Sequence, residues 1–386
     1  MLVLAVLSIS VLQQPQVPST QRVAARLREG HEVAAIVGCG EQVSVAPDGS
    51  AVAVVDHRRK LARVVDAATG DVRDAPLAGE VCSIALLPNG GCWLGLENGA
   101  VAHAPADGAL RRFDVMQHPI DGLVCVAGNV AWSSSKADRG GVLDARTGDV
   151  RFRAATPFGG YRERRMFLSR DGRHALHFDR DPSKGGRRLV RVRDANTGEV
   201  RGTADSYLCK RAPGIAFGLD RLFTAARVAS SKWELRRFDL VTMQSHVVDD
   251  DLRGKHFVDL MLSPSARYLL EGDHEERGAM LYDVGGGVTG GRRQLGAKGA
   301  LPVGFLGDGL VGEELACTTV EGARTGLTVW STSSGERLAA DLPFARAKRV
   351  TNVGSLRGGR AMWIASWSAG KDRSIEYGLH VVAFED

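Results

Sequence analysis

The chain has 386 residues, of which 47 are glycine, 44% hydrophobic, 25% charged and only 6% aromatic. Glycine at about 12%, against roughly 7% in average proteins and with no loss of hydrophobic content, excludes a disordered chain, a collagen and a polytopic membrane protein, and points to many short elements joined by turns. Fifty Lys and Arg against 45 Asp and Glu give a net charge of +5, too mild at this length to call for a nucleic-acid partner.

Leu2 to Leu12 (LVLAVLSISVL) is an apolar run of eleven residues, followed by Gln13-Gln14-Pro15-Gln16-Val17-Pro18. Eleven is short for a bilayer span and suits the core of a secretory leader. No Lys or Arg precedes the run and no Ala-x-Ala follows it, so a buried strand is the alternative. Residues 1–20 are read as an apolar leader plus linker. That reading favours a periplasmic or extracellular location over the cytoplasm and confines membrane contact to the leader. Gln21 to Glu29 (QRVAARLRE) is strand-compatible, and a helix over VAARLREGHEVAAI also fits.

From there the chain repeats. Ala46-Pro47-Asp48-Gly49, Leu87-Pro88-Asn89-Gly90, Ser169-Arg170-Asp171-Gly172 and Leu306-Gly307-Asp308-Gly309 are hairpin signals between apolar alternations, with looser copies at Ser263-Pro264-Ser265-Ala266 and Arg357-Gly358-Gly359. Roughly twenty residues after each comes a second pattern. It is seen as Val64-Val65-Asp66-Ala67-Ala68-Thr69-Gly70, as VLDARTG ending at Gly148, VRDANTG ending at Gly198 and VWSTSSG ending at Gly335. RFDLVTM around Asp239 and LYDVGGG around Asp283 are weaker copies, and VAHAPADG ending at Gly108 fills the remaining slot. In each, an apolar strand end leads to an Asp that can bond its own downstream backbone and a Gly that tolerates positive φ. Asp66 to Asp386 is 320 residues, and seven intervals of about 46 match the length of four short strands with their turns.

The first unit runs Gly30-His31, VAAIVG, Val43-Ser44-Val45-Ala46-Pro47-Asp48-Gly49, AVAVVDH, ARVVDAATG. It resembles the WD-repeat family, in which Gly-His precedes the first strand and Trp-Asp ends the third. Asp56 falls at a turn aspartate of that family. The copies are degenerate, with Val65, Leu143, Arg193, Phe238 and Tyr282 in the tryptophan slot, and Trp330 followed by Ser331. Degenerate bacterial propellers, including quinoprotein-like ones, share the Asp-x-x-Thr-Gly turn. The resemblance implies an all-β fold, a single β-propeller over residues 21–386. Counting units gives eight four-stranded blades, with seven as the alternative. The last unit stops at HVVAFED on its third strand, so Gln21 to Glu29 is expected to supply the fourth and close the ring between the two termini.

Catalytic signals are sparse. Gly285-x-Gly287-x-x-Gly290 and Gly307-x-Gly309-x-x-Gly312 coincide with repeat turns and open no helix, so no dinucleotide is expected. His174 and His177 fall on opposite faces of a strand and cannot share a metal. Asp179-x-Asp181 lacks the Gly and distal Glu of a calcium loop. Asp249-Asp250-Asp251 reads as a solvated turn. Neither a nucleophile elbow nor a phosphate-binding loop occurs. Arg58-Arg59-Lys60, Arg162 with Arg164 and Arg165, Arg187-Arg188, Arg292-Arg293 and Lys348-Arg349 read as a solvated rim. Of six cysteines none forms Cys-x-x-Cys, and Cys82 and Cys92 sit out of register for a bridge. The expectation is a monomeric, non-enzymatic scaffold that needs no cofactor and offers its loops to a protein or peptide. Its candidate contact segment is the insertion of Asp179, Arg180, Asp181, Lys184, Arg187 and Arg188. A ligand-binding or enzymatic channel mouth, like a quinoprotein dehydrogenase or a lactonase, is the alternative.

Overall fold

The computed structural model describes residues 20–384 except 57–58, 76–78, 89, 157–165, 182–186, 206–214, 218–219, 228–232, 253–257, 274–277, 286–290, 298, 309–311, 320–324, 346–348 and 370–374. Residues 1–19 of the expected leader and linker, and Lys184, therefore lie outside the described residues. Nearly every regular element is a strand, as the glycine-rich, turn-rich sequence requires. Five separate four-stranded antiparallel sheets match the second to sixth sequence units. The first, seventh and last units join in one eleven-stranded sheet.

The turns form because their side chains replace missing backbone partners. In the first unit Asp48 Oδ1 accepts the amide (3.0 Å) and hydroxyl (2.7 Å) of Ser50. Eighteen residues on, Asp66 Oδ1 accepts the amides of Ala68 and Thr69 at 2.8 and 3.0 Å, and the Gly70 amide closes on the Asp66 carbonyl at 3.0 Å. Asp144 and Asp194 repeat this set. Strands alternate in direction, so both glycine turns of a unit lie at the same end of its sheet. The second-to-third-strand connections lie at the other end.

Neighbouring units pack through these turns. The turn glycine of one unit sits against the outer strand of the unit before it. A Cβ at Gly148 would fall 1.9 Å from the Phe113 ring, and one at Gly198 would fall 2.6 Å from Phe152. Around them lie apolar clusters shared between sheets, such as Trp93, Ile120, Leu123, Trp132 and Leu143. Burial of these faces is the main stabilising term for stacked repeats.

The closing strand is not where the sequence reading put it. Thr20–Glu29 is an α-helix, because Val23 and Leu27, one helical turn apart, both reach a core with Leu338, Leu342 and Phe384. Closure falls instead to the long strand His31–Val45. Its first half pairs antiparallel with the last strand, Ile375–Ala383, through Ala35↔His380, Ile36↔Leu379 and Val37↔Gly378. Its second half pairs with Ala51–Asp56 through Val43↔Val54 and Val45↔Val52. The His380 ring ties the seam, its Nδ1 2.7 Å from Glu32 Oε2 and its Nε2 3.0 Å from Ser366 Oγ. A Cβ at Gly70 would lie 2.5 Å from the Val33 carbonyl oxygen. The first half of this strand therefore meets the first unit as the outer strand of a preceding unit would.

Candidate functional site

The innermost strands end together at one mouth of the ring. A cavity of about 680 Å³ opens there between the inner-strand ends and hairpin turns of the first, sixth, seventh and last units. Pro47, Asp48, Ser265, Asp308, Glu314 and Asn352 give it a polar, acidic lining, and Phe305, Met261 and Val353 supply its apolar part. Gly304 lets the two inner strands approach closely where they pair in parallel, since a Cβ there would sit 2.2 Å from the Val353 carbonyl oxygen.

Three of the polar groups at the mouth, Glu314, Ser265 and Asp48, have defined partners. Glu314, 7% exposed, accepts the Ser265 amide and hydroxyl, both at 2.6 Å. This joins the turns of the sixth and seventh units. The Ser50 hydroxyl and amide hold the Asp48 carboxyl below its ordinary pKa. The Arg357 amide donates to the Gly49 carbonyl at 3.1 Å, linking the last unit to the first, and Arg170 donates to the Pro264 carbonyl. Among the described residues no group of three or more His, Cys, Asp and Glu is placed to hold a metal.

The insertion behaves differently from a loose loop. Asp179, Arg180 and Asp181 end the strand His174–Asp181, while Arg187 and Arg188 begin Arg187–Asp194. They pair as Asp179↔Leu189, Arg180↔Arg188 and Asp181↔Arg187. Eight rungs, against six in the third unit, carry this hairpin past its neighbour on the face opposite the glycine turns. Asp179 pairs with Arg191 at its base.

Other sequence-selected residues have structural partners. His177 is buried, its Nδ1–H directed at the Phe178 carbonyl (3.2 Å) and its Nε2 accepting Arg193 Nε at 2.9 Å. Burial and the Arg193 charge push its pKa down to about 4. This diagonal matches that of Trp330, whose Nε1 donates to Thr318 Oγ1 at 2.9 Å. Arg193 thus occupies the tryptophan slot with a polar partner of its own. Asp249 corrects the expectation of a solvated turn. It lies in the strand Ser245–Leu252 and accepts Tyr282 Oη at 3.0 Å and Arg292 at 2.8 Å. Lys60 pairs with Glu80 at 2.6 Å, Arg293 donates to the Thr332 carbonyl at 3.0 Å and Arg349 lies 4.4 Å over the Trp367 ring. Arg58, Arg162, Arg164, Arg165 and Lys348 fall outside the described residues. Cys82 and Cys92 are free thiols, and Cys82 donates to Glu97 at 3.0 Å.

The sequence reading missed the Ser265–Glu314 link and the mouth it helps to line. Its one visible trace was the recurrence of polar hairpin turns at the ends of the inner strands.

No family model matches the chain, and no curated protein sequence matches it. Solved structures do. The C-terminal WD40 domain of Sif2 is 12% identical over 93% of this chain and 99% of that one, with a TM-score of 0.59. The Dos1 propeller is 12% identical over 92% and 96%, with a TM-score of 0.60. A chain of a mitotic checkpoint complex is 15% identical over 100% of both, with a TM-score of 0.54. At this identity the likeness is one of fold, and together with the sheets above it makes the chain a β-propeller.

Proposed function

We propose that the protein is a ring of eight four-stranded units that serves as a non-enzymatic scaffold, binding a protein or peptide through its loops. The count rests on the shared strand His31–Val45, whose halves complete the last unit and begin the first. The observation that carries the binding reading is the 680 Å³ mouth, whose wall is built from turns of four units, joined in two pairs by Glu314 and by the Arg357 amide. A rigid concave surface with exposed Asp48 and Asp308 beside Met261 and Phe305 suits a polar segment with an apolar anchor. A mitotic checkpoint complex among the structural neighbours is an assembly of proteins, which agrees with such a role. The hairpin through Asp179 and Arg188 is the second contact surface, favoured by its eight rungs against six and seven in the units on either side.

The test replaces Asp308 with Arg at the mouth and, as a control, Thr242 with Arg on the outer turn of the fifth unit. Each protein is used to isolate partners from the native host. A specific partner retained by the Thr242→Arg protein and lost by the Asp308→Arg protein supports the mouth. Equal retention by both contradicts it.

A further inference from the structure

The chain carries a net charge of +5, yet the mouth is lined by Asp48, Asp308 and Glu314 and by no lysine, arginine or histidine. Arg170 and Arg357 stand at its edge without lining it. Arg170 is held on the Pro264 carbonyl, and Arg357 gives its amide to Gly49.

Turn carboxylates in other units are matched by an arginine of their own unit. Asp144 pairs with Arg151 at 2.6 Å, Asp194 with Arg201 at 3.4 Å and Asp283 with Arg267 at 3.2 Å. Asp171, in the first hairpin turn of the fourth unit, has Arg173 two residues on at 3.7 Å. In the same turn of the first unit, Ser50 takes the place of that arginine beside Asp48. Ser50 gives its amide and hydroxyl to Oδ1 alone, which keeps Asp48 ionised and leaves Oδ2 uncommitted. Asp308 is exposed and its carboxylate has no partner among the described residues. Glu314 adds charge but no open acceptor, because both its oxygens are taken by Ser265. Two accessible carboxylates at the mouth are therefore left without a cation of the fold.

The rest of the lining says what carries the missing cations. Around the ring it runs from Asp48 in the first unit through Asn352 in the last and Asp308 in the seventh to Met261 and Leu262 in the sixth. Asn352 is exposed and no described residue bonds its side-chain amide, which can donate to and accept from a peptide group. Met261 and Leu262 are half-buried and present apolar surface. A nucleic acid would bring phosphates to two carboxylates, and a metal ion finds no ligand cluster among the described residues.

We propose, on the reading that the mouth is the binding surface, that it takes a basic peptide segment. Its cationic side chains lie on Asp48 and Asp308, its backbone on Asn352 and a neighbouring bulky apolar side chain against Met261 and Leu262. The volume of about 680 Å³ suits a short segment of this kind. Each contact supplies what the lining lacks: cations for two bare carboxylates, a peptide group for the amide and an apolar partner for the wall.

The experiment titrates the full chain into fluorescein-labelled peptides and reads their anisotropy. Two probes carry Lys-Gly-Lys-Leu and the opposite order Leu-Lys-Gly-Lys in a Ser-Gly frame, and controls replace both lysines with Gln or Glu, or Leu with Ser. The expected result is saturable binding of at least one lysine probe and none with Gln or Glu. Serine in place of leucine weakens binding about tenfold or more. Asp48→Asn, which keeps an acceptor for Ser50, and Asp308→Asn each weaken it about two- to fivefold. Equal binding of the Gln or Glu peptides overturns the inference and leaves the mouth as a surface for another segment. Unchanged affinity in the double variant places the peptide elsewhere and also overturns it. Displacement by spermidine at the concentration of the peptide shows that charge alone is read, which contradicts a peptide site. If no peptide binds, the inference fails by itself, whereas the mouth fails only if Asp308→Arg also keeps the host partner.

Discussion

Gly202 and Met243 exchange the roles that glycine and an aromatic residue hold elsewhere in the ring. In the third and fourth units a turn glycine, Gly148 or Gly198, faces Phe113 or Phe152 on the preceding outer strand. In the fifth unit the turn residue is Met243, at a positive φ of 58°, and the outer-strand residue facing it is Gly202. A Cβ at Gly202 would lie 2.8 Å from Met243 Sδ. The interface keeps its volume while the residues change sides.

That complementarity predicts coupling. Gly202→Phe alone overpacks the seam and should cost about 1–3 kcal/mol. Adding Met243→Gly recreates the arrangement of Gly198 with Phe152 and should recover at least about 1 kcal/mol. Urea unfolding of the two single variants and the double variant measures it; strictly additive losses would contradict the pairing.

Two glycines with the same φ separate backbone strain from collision. Gly128 (φ 81°) has nothing within 4 Å of its would-be Cβ, whereas Gly148 (φ 82°) faces the Phe113 ring. Gly128→Ala should cost about 1 kcal/mol from the left-handed backbone alone. Gly148→Ala should cost about 1–3 kcal/mol more, because the ring must move. Thermal unfolding of both variants decides it.

His177 makes stability fall in mild acid. Its folded pKa of about 4 lies below the ordinary 6.5, so the unfolded chain takes up the proton first. The stability present above pH 6.5 is lost as pH falls towards 4, by up to about 3 kcal/mol from this group. His177→Gln keeps an acceptor for Arg193 and does not titrate. Its urea midpoint should drop less between pH 7 and pH 4.5 than that of the parent chain.

Much of this was legible because turns are local. Asp66, Asp144 and Asp194 bond amides two and three residues ahead, so a seven-residue pattern announces each turn. The helix Thr20–Glu29 was harder, since nine residues with alternating and helical spacing fit two structures until Val23 and Leu27 find a core contributed by residues more than 300 positions away. Closure was read correctly as a meeting of the two chain ends, but one strand too early. Asp249 was misread because the partners that desolvate it, Tyr282 and Arg292, belong to the next unit.

Hydrogen exchange tests the closed ring most directly. The amides of His31–Val37 should be protected to the same degree as those of Ile375–Ala383, because the two segments share one antiparallel ladder. Fast exchange at His31–Val37 beside full protection at Val43–Val45 would show a free amino-terminal arm and contradict the closure.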